Sequence, residues 1–174
     1  MADPSTARTG FEGIRALTFD CYGTLVDWHR GIQDAFDAVL RGVQADVDRE
    51  RLVHEREDAD FRLIQGPYLP YSDVLERSLR EALELQSVSA EQADLGRFAA
   101  SMARWPPFDE TGPILRLLAE RFRLVILSNV EAATLRSTVA AIDAPFAALV
   151  TAEEIRSYKP APGHWEAALR VLDL

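Results

Sequence analysis

Four side chains of different chemistry stand where a parallel α/β sheet would bring them to one end: the Asp20 carboxylate, the Ser128 hydroxyl, the Asn129 amide and the Lys159 ammonium. Asp20 closes the apolar run Ala16-Leu17-Thr18-Phe19 and precedes the turn Tyr22-Gly23-Thr24. Ser128-Asn129 close the run Leu124-Val125-Ile126-Leu127, and Lys159 lies in the loop Ser157-Tyr158-Lys159-Pro160 after Ala148-Leu149-Val150. Ligands of open parallel sheets bind beyond the carboxyl ends of the strands, so these groups could meet in one crevice. Taken singly, each has a plainer explanation. An Asp before a Gly turn is a turn-former, a Ser or Asn after a strand is a helix cap, and a lone Lys is a solvated charge. Cys21 is the sole cysteine, which excludes an internal disulfide and a zinc site of several thiolates; it reads as a small buried hydrophobe. His29, His54 and His164 share no ligand spacing, and no metal is expected.

The elements that must position these groups follow from periodicity. The apolar runs read as buried strands. Between the first two the pattern is helical. Ile32, Phe36, Val39 and Leu40 share a face of a first helix, and Arg49 to Ile64 is a charged second one. Gly66-Pro67-Tyr68-Leu69-Pro70 breaks the pattern before Tyr71 to Leu85, with Val74, Leu75, Leu79, Ala82 and Leu83 at helical spacing. Ser89, with Gln92 three residues on, predicts a capped helix bearing Leu95, Phe98 and Met102. After Trp105-Pro106-Pro107-Phe108, helices are predicted over Ile114 to Arg121, Ala132 to Ile142 and His164 to Leu172. Strands alternating with helices argue for a doubly wound parallel sheet, here interrupted by one all-helical insert.

Composition sets the outer bounds. The chain has 174 residues, 48% of them hydrophobic and 27% charged, with a formal net charge of -9. No Lys/Arg block stands out, which argues against nucleic acid and anionic membranes as partners. No apolar run approaches the roughly 20 residues of a membrane span. Residues 1–13 read as a flexible polar tail without the apolar stretch of a secretory signal, so a cytoplasmic location is expected.

Three ordered segments carry a family resemblance. Phe19-Asp20-Cys21-Tyr22-Gly23-Thr24-Leu25 resembles the first motif of the haloacid dehalogenase (HAD) superfamily, Leu127-Ser128-Asn129 its second, and Tyr158-Lys159-Pro160 its third. The resemblance runs from about Arg15 to the end of the chain. It implies an α/β fold: a HAD-like, Rossmann-like parallel core formed by residues 14–27 and 109–174, with a helical cap at 28–108. Superfamily phosphatases carry a second Asp two residues after the nucleophile, because an alkoxide leaving group needs a proton. Here that position is Tyr22. Halide leaves without protonation, and the Asp-x-Tyr-Gly-Thr-Leu pattern is similar to the L-2-haloacid dehalogenase branch.

That branch implies hydrolytic dehalogenation of a small 2-haloacid, without cofactor, through an aspartyl ester on Asp20. Lys159 would keep Asp20 ionised. Ser128 and backbone N–H groups near Tyr22 would hold the substrate carboxylate, Asn129 would cradle the halide, and Thr24 would bond the Asp20 loop. The family's cap arginine for halide falls near Arg51 and Arg56, and Trp165 stands where the family usually has Tyr. The family's fourth motif is an acidic loop after a further strand. The sequence stops at Leu174 before such a segment; the expectation is therefore a core incomplete at its C-terminus, with an exposed first strand and impaired turnover. The alternatives are a HAD-superfamily hydrolase or phosphatase of unknown substrate, the latter using Mg2+, and a catalytically inactive fragment. The partner expected is a small anionic molecule, and a homodimer is admitted.

Overall fold

The structure, a computed structural model, describes residues 11–174; most of the predicted tail lies outside them. Three parallel strands, β1 (Ala16–Phe19), β2 (Arg123–Ser128) and β3 (Ala148–Thr151), form a sheet in the order β1-β2-β3. Phe19 pairs with Ile126, and Ser128 with Thr151. Strands β2 and β3 therefore end level, and β1 ends two residues short of them.

Strand β2 shows why the sheet is covered on both faces. Leu124 and Ile126 point into the large core shared with the helical insert, while Val125 and Leu127 join Val150, Ala168 and Leu172 on the other side. Period-two alternation of apolar residues on both faces is the mark of a buried parallel strand. Helices α5 (Thr111–Ala119) and α6 (Ala132–Ile142) contribute Leu115, Leu135 and Ile142 to the first face. Beyond a single turn, α7 (Ala152–Ile155), helix α8 (Gly163–Leu172) covers the second.

Between β1 and α5 the chain is helical. It runs through α1 (Trp28–Val39), α2 (Arg49–Ile64), α3 (Tyr71–Leu85) and α4 (Leu95–Ser101). Helices α2 and α3 pair as a hairpin, and α4 packs on α3 and α1. Phe36 and Phe98 stack at 5.5 Å between α1 and α4. Gly31 of α1 lets the Trp105 indole lie against the helix backbone: a Cβ there would sit 2.3 Å from Trp105 Cγ.

Two expectations are corrected. Ser89 makes no side-chain cap, and Ala90–Gln92 is only a 3-10 turn. The helix starts at Leu95, where Asp94 accepts from the Arg97 N–H at 2.9 Å; the competing carboxylate sits directly before the apolar residues that anchor the helix. Helix α5 begins at Thr111 rather than Ile114, because the Thr111 hydroxyl ties the helix start to the Leu25 carbonyl at 3.0 Å, a tertiary contact. Among the described residues, no helix is long and apolar enough to cross a membrane.

Candidate active site

Asp20 is the first residue beyond β1, and the backbone turns back at once. The Cys21 carbonyl accepts from the N–H groups of Thr24, Leu25 and Val26 at 3.2, 2.7 and 3.1 Å. Gly23 makes this possible at φ +90°, a conformation that a side chain disfavours. The turn leaves the Asp20 carboxylate partly exposed, and Thr24 Oγ1 donates to its Oδ2 at 3.3 Å. The neighbouring Cys21 faces the other way and is fully buried. Burial first, and the negative charge of Asp20 second, push its thiol up to about 12.

Lys159 comes from the loop after α7. Its ammonium forms an ion pair with Asp20 Oδ1 and donates to the Leu127 carbonyl at 2.7 Å. Asn129 holds the Lys159 backbone from both sides: its Oδ1 accepts from the Lys159 N–H at 2.7 Å, and its Nδ2 donates to the Lys159 carbonyl at 3.2 Å. Ser128, at the end of β2, is buried, and its carbonyl accepts from His164 Nε2 at 3.1 Å. Carboxylate, lysine and the Ser-Asn pair therefore converge from segments far apart in the chain.

The remaining residues singled out in the sequence are placed less uniformly. The Tyr22 hydroxyl is paired with Thr138 Oγ1 at 2.8 Å, and its ring meets the Trp105 edge. Burial raises the Tyr22 pKa above its ordinary value. Arg51 is exposed; it donates to Glu55 at 2.7 Å and reaches the Leu85 carbonyl at 3.4 Å, so the structure does not bring it to Asp20. Arg56 is buried. It pairs with Asp60 at 3.4 Å, lies over the Phe98 ring and leaves its Nε without a partner among the described residues. It borders a recess of about 390 Å³ with Trp28, Asp60, Phe61 and Tyr71. Burial raises the pKa of Asp60, opposed by Arg56 and by the Tyr71 hydroxyl, which donates to it at 2.9 Å. Trp165 lies exposed on α8.

Sequence reasoning passed over the contacts by which the core grips the α2–α3 turn. The Tyr158 hydroxyl donates to the Leu69 carbonyl at 2.7 Å, and its ring stacks on Tyr68 at 5.5 Å. Glu131, just after Asn129, accepts from the Ser72 N–H at the start of α3 at 2.8 Å. Tyr158 lies within the third motif and could have been found there; Glu131 and His164 carry no local signal.

A parallel α/β fold with an Asp at the end of its first strand, ion-paired to a lysine delivered after its third, defines a class of hydrolases that use a carboxylate nucleophile. The family model for haloacid dehalogenase-like hydrolases matches residues 14–174, and the chain belongs to that family. It is 29% identical to the haloacetate dehalogenase H-2 of Moraxella sp. (strain B) over 156 residues, 88% of this chain and 69% of that one. It is 26% identical to the (S)-2-haloacid dehalogenase of Xanthobacter autotrophicus over 164 residues, 91% of this chain and 63% of that one. The chain thus spans about two thirds of the length of the curated relatives it matches. Its fold is similar to the L-2-haloacid dehalogenase of Xanthobacter autotrophicus with chloropropionic acid covalently bound. The TM-score there is 0.73 at 25% identity, covering 92% of this chain and 66% of that one.

Proposed function

We propose that the protein hydrolyses the carbon–halogen bond of a small 2-haloacid. The observation that carries this reading is the Asp20–Lys159 pair at the mouth of the sheet, with Tyr22 two residues on where a proton-donating acid would otherwise stand. Asp20, ion-paired with the lysine, attacks the substrate α-carbon. A C–O bond forms as the C–halogen bond breaks, and the bonding pair leaves with the halide. Water then adds at the Asp20 ester carbonyl and the bond from that carbonyl carbon to the substrate oxygen breaks; one water proton leaves on the 2-hydroxyacid hydroxyl, the other passes to solvent, and the carboxylate is restored with one oxygen from water. Halide departs as a stable anion, so the first step needs no proton donor and no metal.

Ser128 and the backbone N–H groups near Tyr22 that the turn's own hydrogen bonds do not use receive the substrate carboxylate. Thr24 orients Asp20. Asn129 fixes the lysine loop and lies beside the halide path. Of the two arginines, Arg56 is the better halide group: it is buried and carries a spare donor, while Arg51 is committed at the surface. The helices of 28–108 act as the cap that closes over the substrate.

The test is halide release from (S)-2-chloropropionate and chloroacetate, with Asp20→Asn as control. Steady release by the wild type and loss of about three orders of magnitude or more in the variant is the expected result. Equal rates in both proteins would refute the reading.

A further inference from the structure

The end of β2 and the segment 159–164 are joined by four hydrogen bonds. Lys159 Nζ donates to the Leu127 carbonyl, His164 Nε2 to the Ser128 carbonyl, and Asn129 exchanges two bonds with the Lys159 backbone. Three of these involve residues already placed at the site. His164 is the fourth partner, and nothing in the reaction described above uses it.

Its setting is unusual for a core filler. The side chain is fully buried in the first turn of α8. A carbonyl oxygen only accepts, so Nε2 must carry the hydrogen. The neutral ring then presents a bare Nδ1, which is buried and has no partner among the described residues. An apolar side chain of the same size would fill this space and remove the bare nitrogen, but it would take this donor away from the Ser128 carbonyl. What the imidazole supplies, and an apolar residue cannot, is the hydrogen bond to Ser128.

We infer that His164 is a positioning residue: as its Nε2–H tautomer it holds the Ser128 carbonyl and so sets the Ser128 hydroxyl and Asn129 amide against the Asp20–Lys159 pair. This rests on the reading of Ser128 as the hydroxyl that receives the substrate carboxylate. Protonation is disfavoured on three sides. Burial lowers the pKa, the Lys159 ammonium acts in the same direction, and a cation at a helix N-terminus opposes the dipole; the hydrogen bond to the Ser128 carbonyl works against them without reversing the net lowering. The net shift favours the neutral ring, whose Nε2–H the Ser128 carbonyl selects.

Three variants separate positioning from filling. His164→Gln can place an amide N–H where Nε2 lies; His164→Asn is polar but too short; His164→Leu fills the space without a donor. With (S)-2-chloropropionate, Leu and Asn should raise KM by about tenfold with a smaller change in kcat, and Gln should return KM to within about threefold of the wild type. A second readout does not depend on turnover. In ¹⁵N-resolved NMR of the 174-residue chain, His164 should show the Nε2–H tautomer. The Ser128 and Asn129 resonances should shift in the Leu and Asn variants and return in the Gln variant. An Nδ1–H tautomer, or Gln behaving like Leu and Asn, would overturn the inference; should Leu fail to fold, the Gln–Asn pair decides. A wild type that releases no halide while the resonances behave as stated removes the dehalogenase reading and leaves the positioning of Ser128 by His164 intact.

Discussion

Asp20 and Cys21 are adjacent in the chain and opposite in reactivity. The carboxylate is exposed beside an ammonium, whereas the thiol is buried and protonated, with its pKa pushed up to about 12. Because the thiolate is the reactive form, chloroacetate should modify Asp20 and spare Cys21. Tandem mass spectrometry with hydroxylamine, which cleaves an ester but not a thioether, checks this; a hydroxylamine-stable adduct on Cys21 would count against it. The two arginines of α2 should part in the same way. Arg51→Ala should change stability by less than about 0.5 kcal/mol, as an exposed pair does. Arg56→Ala strands the buried Asp60 and should cost about 3 kcal/mol, read from urea midpoints. His164 contributes a pH dependence of definite sign. Its folded pKa lies below the roughly 6.5 of an unfolded chain, so the unfolded state binds the proton more readily. Its contribution to stability is full above that pH and declines as the pH falls toward the lowered value. His164→Gln should remove this share of the slope when urea midpoints are compared at pH 7.5 and 5.5.

The elements were legible wherever their cause was local. The breaks at Gly66–Pro70 and Trp105–Pro107, the apolar faces of α1 and α3, and the four-residue strand before Asp20 follow from propensity and period, and the structure has them. The start of α4 was not, because Ser89 and Asp94 are both competent caps and packing selects between them. Asp94→Ala should therefore cost about 1 kcal/mol, while Ser89→Ala should cost next to nothing; equal losses would contradict the observed cap. Gly31→Ala should cost about 1–3 kcal/mol, since its Cβ would have to displace the Trp105 ring. Thermal or urea unfolding measures both.

For the molecule as a whole, the formal charge of -9 means that an anionic substrate approaches against the overall field and is received only by the local cations and N–H groups at the sheet's end. Added neutral salt should therefore raise kcat/KM for a 2-haloacid by about twofold before specific ion effects intervene; a steep fall would show that long-range attraction dominates. The family, the fold class and the order of its strands and helices were determined by the sequence alone, because short motifs and hydrophobic periods are properties of neighbouring residues. Only the tertiary structure decided which groups touch. Arg51 and Arg56 lie five residues apart, roughly 140° around a helix of 100° per residue, and the weakly amphipathic α2 does not say which side is covered until α3 packs against it and the Phe98 ring meets Arg56. His164, Glu131 and the Asp60–Tyr71 pair acquire their roles the same way, from partners that the chain brings close only when the sheet is wound and its two faces are filled.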